Sequence, residues 1–288
     1  MEKYGILSDD IYNFDETGFQ MGVIGTARVI TGSERSWNSK LVQPEDQEWV
    51  TVIAGVNATG WALCTMIILK EKMHQSCWYK TEELPDDWVI GVSENGWTND
   101  QLGLYWLKEV FNKDTLPRTK GKYRLLILDW HRSHASVEFD QFCSENHIIA
   151  LYMLSHSSHL LQSLNVDCFS SLKTTYRQQV ENQMQLGINH IDKEEFLALY
   201  PAAHTQSLNK NNIKSGFRAA GLAPYDSEQV LSRLNTTMCT STSSEISHSS
   251  QTFWATAMPH NICQLEQQTE KVKKYIKHCT QSPPSPSN

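Results

Sequence analysis

Short β-prone runs and helical stripes alternate over the first part of the chain, and helical spacing alone rules the next part. Residues 11–14 are β-prone and lead into Asp15-Glu16-Thr17-Gly18, a turn-like acidic stop. Residues 49–56 and 61–69 read as two strands. The Asn57-Ala58-Thr59-Gly60 between them suits a hairpin turn, because Asn and Gly tolerate positive φ. Residues 99–112 read as a helix capped by Asn99, with Gly103, Trp106, Leu107, Val110 and Phe111 spaced as one buried stripe. Residues 123–129 form an almost wholly apolar run that ends on a carboxylate, which suits a strand covered on both faces. Residues 136–146 look helical, 148–154 read as another buried strand, and 158–185 are helical again. A hairpin followed by strand–helix–strand–helix predicts an α/β domain with a mixed sheet flanked by helices.

Past about residue 190 the pattern is helical without strands, over 192–203 and 209–220, and Gly221 and Pro224 stop the second helix. Over 236–252, eleven of seventeen residues are Ser or Thr, too polar to bury a core. The expected organisation is an α/β domain over 1–185, a helical extension over 186–235 and a Ser/Thr-rich linker and disordered tail over 236–288.

Composition narrows the function. Of 288 residues, 40% are hydrophobic, enough for a sizeable core. Lys and Arg number 25 against 32 Asp and Glu, a net charge of −7, which argues against a polybasic coat but leaves room for a local basic groove. The longest apolar run, 61–69, is nine residues, so no membrane span is expected. The seven cysteines are an odd count with no C-x-x-C pair, and no secretory start precedes them, so free thiols in a reducing compartment are expected.

Two of the expected strands end on an aspartate, Asp15 and Asp129. Carboxyl ends of neighbouring strands converge in an open α/β sheet, where two carboxylates repel unless a cation joins them. Oxygen donors suit Mg²⁺ or Mn²⁺, and a pair of such ions activates water and stabilises the leaving oxygen of a phosphodiester. The plainer alternative is that each aspartate only terminates a strand.

The surrounding blocks favour the chemistry. Asp15-Glu16-Thr17-Gly18-Phe19, Leu128-Asp129-Trp130-His131-Arg132-Ser133-His134 and Ser157-Ser158-His159-Leu160-Leu161-Gln162-Ser163-Leu164-Asn165-Val166 resemble the three signature blocks of pogo-like DDE transposases, in the mariner/pogo superfamily. The resemblance continues through Glu48 to Ile53, Val92 to Trp97, Gly216 to Leu222, Trp254 and Pro259-His260-Asn261. It implies a ribonuclease-H-like fold in which three acidic residues hold two Mg²⁺ (or Mn²⁺) ions. It also implies DNA as partner (transposon ends and target), cleavage and strand transfer, a homodimer, and a nuclear location. Asp15 and Asp129 match the first two acids. The third falls on Asn165, with 35 residues between it and Asp129, an interval that fits the family.

An amide oxygen ligates Mg²⁺ but brings no charge, so weakened metal binding and impaired catalysis are expected. Asp167 is a poor substitute on a helix, where two residues on lies on the opposite face, but a usable one on extended backbone. Leu154-Ser155 and Ser163 stand where the family has prolines, Asp167 where it has a small Gly, and Trp130 where a Gly follows the second acid. The first block begins within fifteen residues of Met1, so the family's N-terminal helix-turn-helix reading head is expected to be missing. His131 and His134 read as loop supports, Glu16 as pointing to the opposite strand face, and the tryptophans, Trp61, Trp78, Trp88 and Trp97 among them, as core. Lys271 to Lys277 reads as a solvated basic helix face. The alternative function is a non-catalytic nuclear DNA- or protein-interaction protein derived from a transposase.

Overall fold

The computed structural model describes residues 4–23, 48–129, 136–153, 158–188 and 190–233. Trp130, His131, His134, Leu154-Ser155, the Ser/Thr-rich tail and the basic run at 271–277 lie outside them. The chain divides into two compact units, Met1–Leu231 and Ser232–Asn288, and the architecture below is that of the first.

In chain order its strands are β1 (Ile11–Val23), β2 (Glu48–Asn57), β3 (Trp61–Ala62), β4 (Met66–Lys70), β5 (Val89–Ser93), β6 (Arg124–Asp129), β7 (Ile148–Met153) and β8 (His190–Ile191). The helices are α1 (Asp100–Tyr105), α2 (Lys113–Thr115), α3 (Val137–Glu145), α4 (Ser158–Leu161), α5 (Phe169–Gln185), α6 (Lys193–Ser207), α7 (Lys210–Ala219) and α8 (Glu228–Leu231). The sheet order is β5-β4-β2-β1-β6-β7, with β3 added to β2 and β8 to β1. β1–β2 and β2–β4 are antiparallel pairs, while β1–β6, β6–β7 and β4–β5 are parallel pairs. The sheet is thus mixed and flanked by helices, the ribonuclease-H-like arrangement expected from the sequence.

β1 corrects the first expectation. It does not stop at Asp15: the ladder to β2 runs unbroken from Tyr12–Asn57 to Met21–Glu48, with Asp15 opposite Ala54. The acidic segment is therefore mid-strand, held by a partner strand that outweighs the local turn signal. Gly18 fits this reading, because a Cβ there would fall 1.8 Å from the Trp49 ring. The 61–69 run is also not one strand. Leu63 N–H turns to Gly55 O (2.8 Å) and Cys64 N–H to the Asp114 carboxylate (3.1 Å), which breaks it into β3 and β4.

Other elements differ in smaller ways. β7 is an edge strand with Leu151 exposed, not a fully buried one. β8 adds two strand residues where helix alone was expected, paired to Gly22 and Val23. The stripe after Asn99 is buried as expected, and Asn99 accepts from Leu102 N–H at 2.9 Å. Its second half, Trp106–Asn112, winds as a wider π-helical turn, which apolar spacing alone does not distinguish. Asp192 and Glu195 close a capping box on α6, and Asn209 caps α7.

Successive residues of β1 face opposite layers. Tyr12 and Phe14 pack with Trp106, Phe111, Leu126 and Phe139 on one side. Ile11, Phe19 and Met21 pack with α5, α6 and α7 on the other. Between Ile11 and Phe19, on that second face, stand Asn13, Asp15 and Thr17.

Candidate functional site

Asn13 fastens three elements before any chemistry is considered. It is fully buried; its Nδ2 donates to Ile127 O in β6 (3.0 Å), and its Oδ1 accepts from Ser163 Oγ (2.9 Å) and Leu164 N–H (3.0 Å). Asn13–Ile127 is the last pair of the β1–β6 ladder. Asp15 and Asp129 each lie two residues further along their strands, on the side Asn13 and Ile127 mark. The short break between α4 and a wide π-helical turn at Leu164–Cys168 brings Gln162 and Asn165 over the same spot.

Four polar side chains or backbone groups then meet. Asn165 Nδ2 donates to Asp15 Oδ2 at 2.5 Å. The Gln162 amide, fully buried, donates from Nε2 to Asp15 Oδ2 (2.8 Å) and accepts at Oε1 from the Asp129 backbone N–H (3.0 Å). The opposite orientation would set a carbonyl oxygen against a carboxylate, two acceptors with no proton between them. The two amides touch at 3.2 Å. Burial pushes the Asp15 carboxyl well above the usual carboxylate range, and the charge of Asp129 pushes it further. Glu16 adds repulsion through its charge while its backbone N–H and the Asn165 amide oppose the shift. Asp167 is elsewhere in its effects: with burial, its charge holds the Cys168 thiol up at about 12.

The structure thus brings Asp15, Asp129 and Asn165 into one neighbourhood. Among the described residues there is no group of three His, Cys, Asp or Glu side chains that could hold a metal. The donors that converge are two carboxylates and two amides. Two carboxylates fit one divalent ion. Asn165 as oriented does not fit as a third ligand, because it presents N–H, not oxygen, to the shared space.

Sequence reasoning missed Asn13 and Gln162. Both carried a signal. Asn13 is two residues before Asp15 on a strand, hence on its face, and Gln162 is three before Asn165, hence beside it on a helical turn.

Comparison with known proteins gives the class. Residues 46–217, more than half of the chain, match the family described as DDE superfamily endonuclease, and the chain belongs to that family. It is 48% identical over 238 residues to "MFS-type transporter clz9" of Cochliobolus lunatus, covering 83% of this chain and 26% of that protein. It is 27% identical over 146 residues to the human "Pogo transposable element with ZNF domain", covering 50% of this chain and 9% of that one. The chain spans about a quarter or less of these relatives. The first relative's name describes a transporter, while no helix among the described residues is long and apolar enough to cross a membrane. Among solved structures, the Mos1 mariner paired end complex with Mn shares 9% identity at a TM-score of 0.49, covering 78% of this chain and 56% of that one. The pogo name accords with the sequence blocks.

Proposed function

We propose that the chain is a DDE-type transposase domain whose carboxylate site is impaired, built by descent for metal-dependent phosphodiester cleavage and strand transfer on DNA in the nucleus. The observation that carries this is the bond from the Asn165 amide to Asp15. An aspartate at 165 would place three carboxylates together, and only cations would hold them. An asparagine supplies a proton donor instead, so Asp15 is satisfied by the protein itself. Asp15 and Asp129 would hold a divalent ion, and Gln162 would fix the Asp15 carboxylate and the backbone of Asp129 at the end of β6. Such an ion, when bound, activates water and stabilises the leaving oxygen of a phosphodiester. Asn165 would have to turn its amide and break its bond to Asp15 before its oxygen reached that ion.

The alternative is a non-catalytic nuclear protein that keeps the domain for binding DNA or protein. A calorimetric Mn²⁺ titration of the chain beside its Asn165→Asp variant separates the two. The aspartate variant is expected to bind at least about ten-fold more tightly, since the added charge is worth upwards of ~1.4 kcal/mol beside a dication. Equal binding overturns the impaired-site reading. No binding by either assigns the chain to the non-catalytic one.

A further inference from the structure

The sheet ends on β5, and its outer edge carries main-chain groups that no described strand takes up. Val89 N–H donates to Thr65 O (3.0 Å), and Ser93 O accepts from Glu71 N–H (3.0 Å). Parallel pairing alternates, so residues 89, 91 and 93 turn their peptide groups to β4. Ile90 and Val92 therefore turn theirs outward. An edge of this kind is a template for another strand unless it is blunted, and no proline or bulge blunts β5.

Beside this edge runs a groove of about 450 Å³, lined by β5 together with Trp88, His74, Tyr79, Leu102 and Tyr105. Tyr79 and Tyr105 are 56% and 47% exposed, unusual for rings that face one groove. Tyr79 is held in place by His74, which stacks on it at 27° and shares a 2.7 Å hydrogen bond from Nδ1 to the phenol oxygen. The two tyrosines lie near enough for the one to push up the phenol of the other, after burial.

The chain that flanks β5 is acidic. From Asp86 to Glu94 it carries three exposed acids, Asp86, Asp87 and Glu94, and no Lys or Arg. A phosphate backbone is repelled by such a rim.

We propose that the β5 edge is a docking strand for an extended, lysine- or arginine-rich segment of a partner polypeptide. The segment adds to the sheet through the outward groups of Ile90 and Val92, which supplies affinity without regard to sequence. Its alternate side chains enter the groove, where the faces of Tyr79 and Tyr105 accept a cation and the acidic rim selects for one. In sheet order β5 is three strands from β1, roughly 14 Å at 4.8 Å per strand, so this surface does not draw on the carboxylate site.

The test is fluorescence anisotropy of the whole chain with a labelled ten-residue peptide alternating lysine with valine or threonine. Saturable binding is expected, with no binding of the same peptide carrying glutamate for lysine. Val92→Pro removes one outward donor on an edge strand, where proline is tolerated, and is expected to weaken binding at least ten-fold. Asp86→Lys with Asp87→Lys is expected to weaken it by a similar factor and carries the test if the proline variant melts early. Unchanged affinity in both variants overturns the proposal, as does absence of binding to the unmodified chain. A labelled single-stranded DNA that binds the same edge, and loses affinity in Val92→Pro, overturns the choice of a basic polypeptide.

Discussion

One face of β1 carries two very different regions a few residues apart. At Asn13 and Asp15 it is polar, and the Asn13 amide and Asp15 Oδ2 are answered by Ser163, Leu164, Ile127, Gln162 and Asn165. At Phe19 it is aromatic, with Tyr176, Phe196 and Tyr200 rings at 5.1, 5.7 and 5.4 Å. The same strand and layer carry both, but the stretch from Gln162 to Asn165 covers the polar region and α5 and α6 the aromatic one. The aromatic region gains from burial, while the polar region places a carboxylate where burial penalises its charge. A strand that followed its alternation throughout would have been apolar at 13, 15 and 17. The departure marks the functional site by its cost.

The sharpest way to break the comparison is to remove the aromatic anchor. Phe19→Ala leaves a cavity among three rings and is expected to cost about 3–5 kcal/mol, against roughly 1 kcal/mol for changes at the polar site. Urea unfolding followed by tryptophan fluorescence measures it. A loss below about 1 kcal/mol would mean that the two regions contribute alike.

The two regions also answer pH with opposite signs. His204 sits at the rim of the aromatic region, edge-on to Trp88 at 4.8 Å and bonded to Thr65 Oγ1 at 3.0 Å. Burial pushes its imidazole down to about 4. The unfolded ring takes a proton near 6.5, so between those values the unfolded chain binds more protons and stability falls as pH falls. The expected loss from pH 7 to pH 5 is about 2 kcal/mol, and His204→Gln should remove most of it. Melting curves of both proteins at the two pH values check this, and an identical pH dependence would place the titrating group elsewhere.

How far the sequence made these regions legible follows from range. The pairing of Asp15 with Asp129, the position of Asn165 and the mixed sheet came from ordered motifs and short-range periodicity. The passage of β1 through its acidic segment did not, because it depends on β2, more than thirty residues away. The Gly18 contact with the Trp49 ring is of the same kind, a long-range fit that no local window holds. Trp97 was expected in the core; it is half exposed and stacks on Trp49 at 4.7 Å, a partnership fixed by the fold and not by its neighbours in sequence. Gln162 and Asn13 were readable in principle, since each shares a face with a residue already singled out. Neither stands out, because an uncharged amide advertises no chemistry until its partners are known.

The smallest expected effect is the most direct reading of the polar region. Asp15 has its carboxyl raised by burial and by Asp129, so the folded state holds a proton more readily than the unfolded one. Its contribution is therefore most favourable in acid, below the unfolded value, and is lost as pH rises through the folded one, the reverse of His204. At neutral pH an ionised Asp15 is a burden that the Asn165 and Gln162 amides only partly offset. Asp15→Asn is expected to raise the melting temperature at pH 7.5 by about 2–4 °C, the size of a change near 1 kcal/mol in a unit of this length. The gain should shrink as pH is lowered, because wild-type Asp15 then becomes neutral by itself. A variant that melts lower at every pH would show that the carboxylate is held by more than these two amides, and that the polar region stabilises the strand it interrupts.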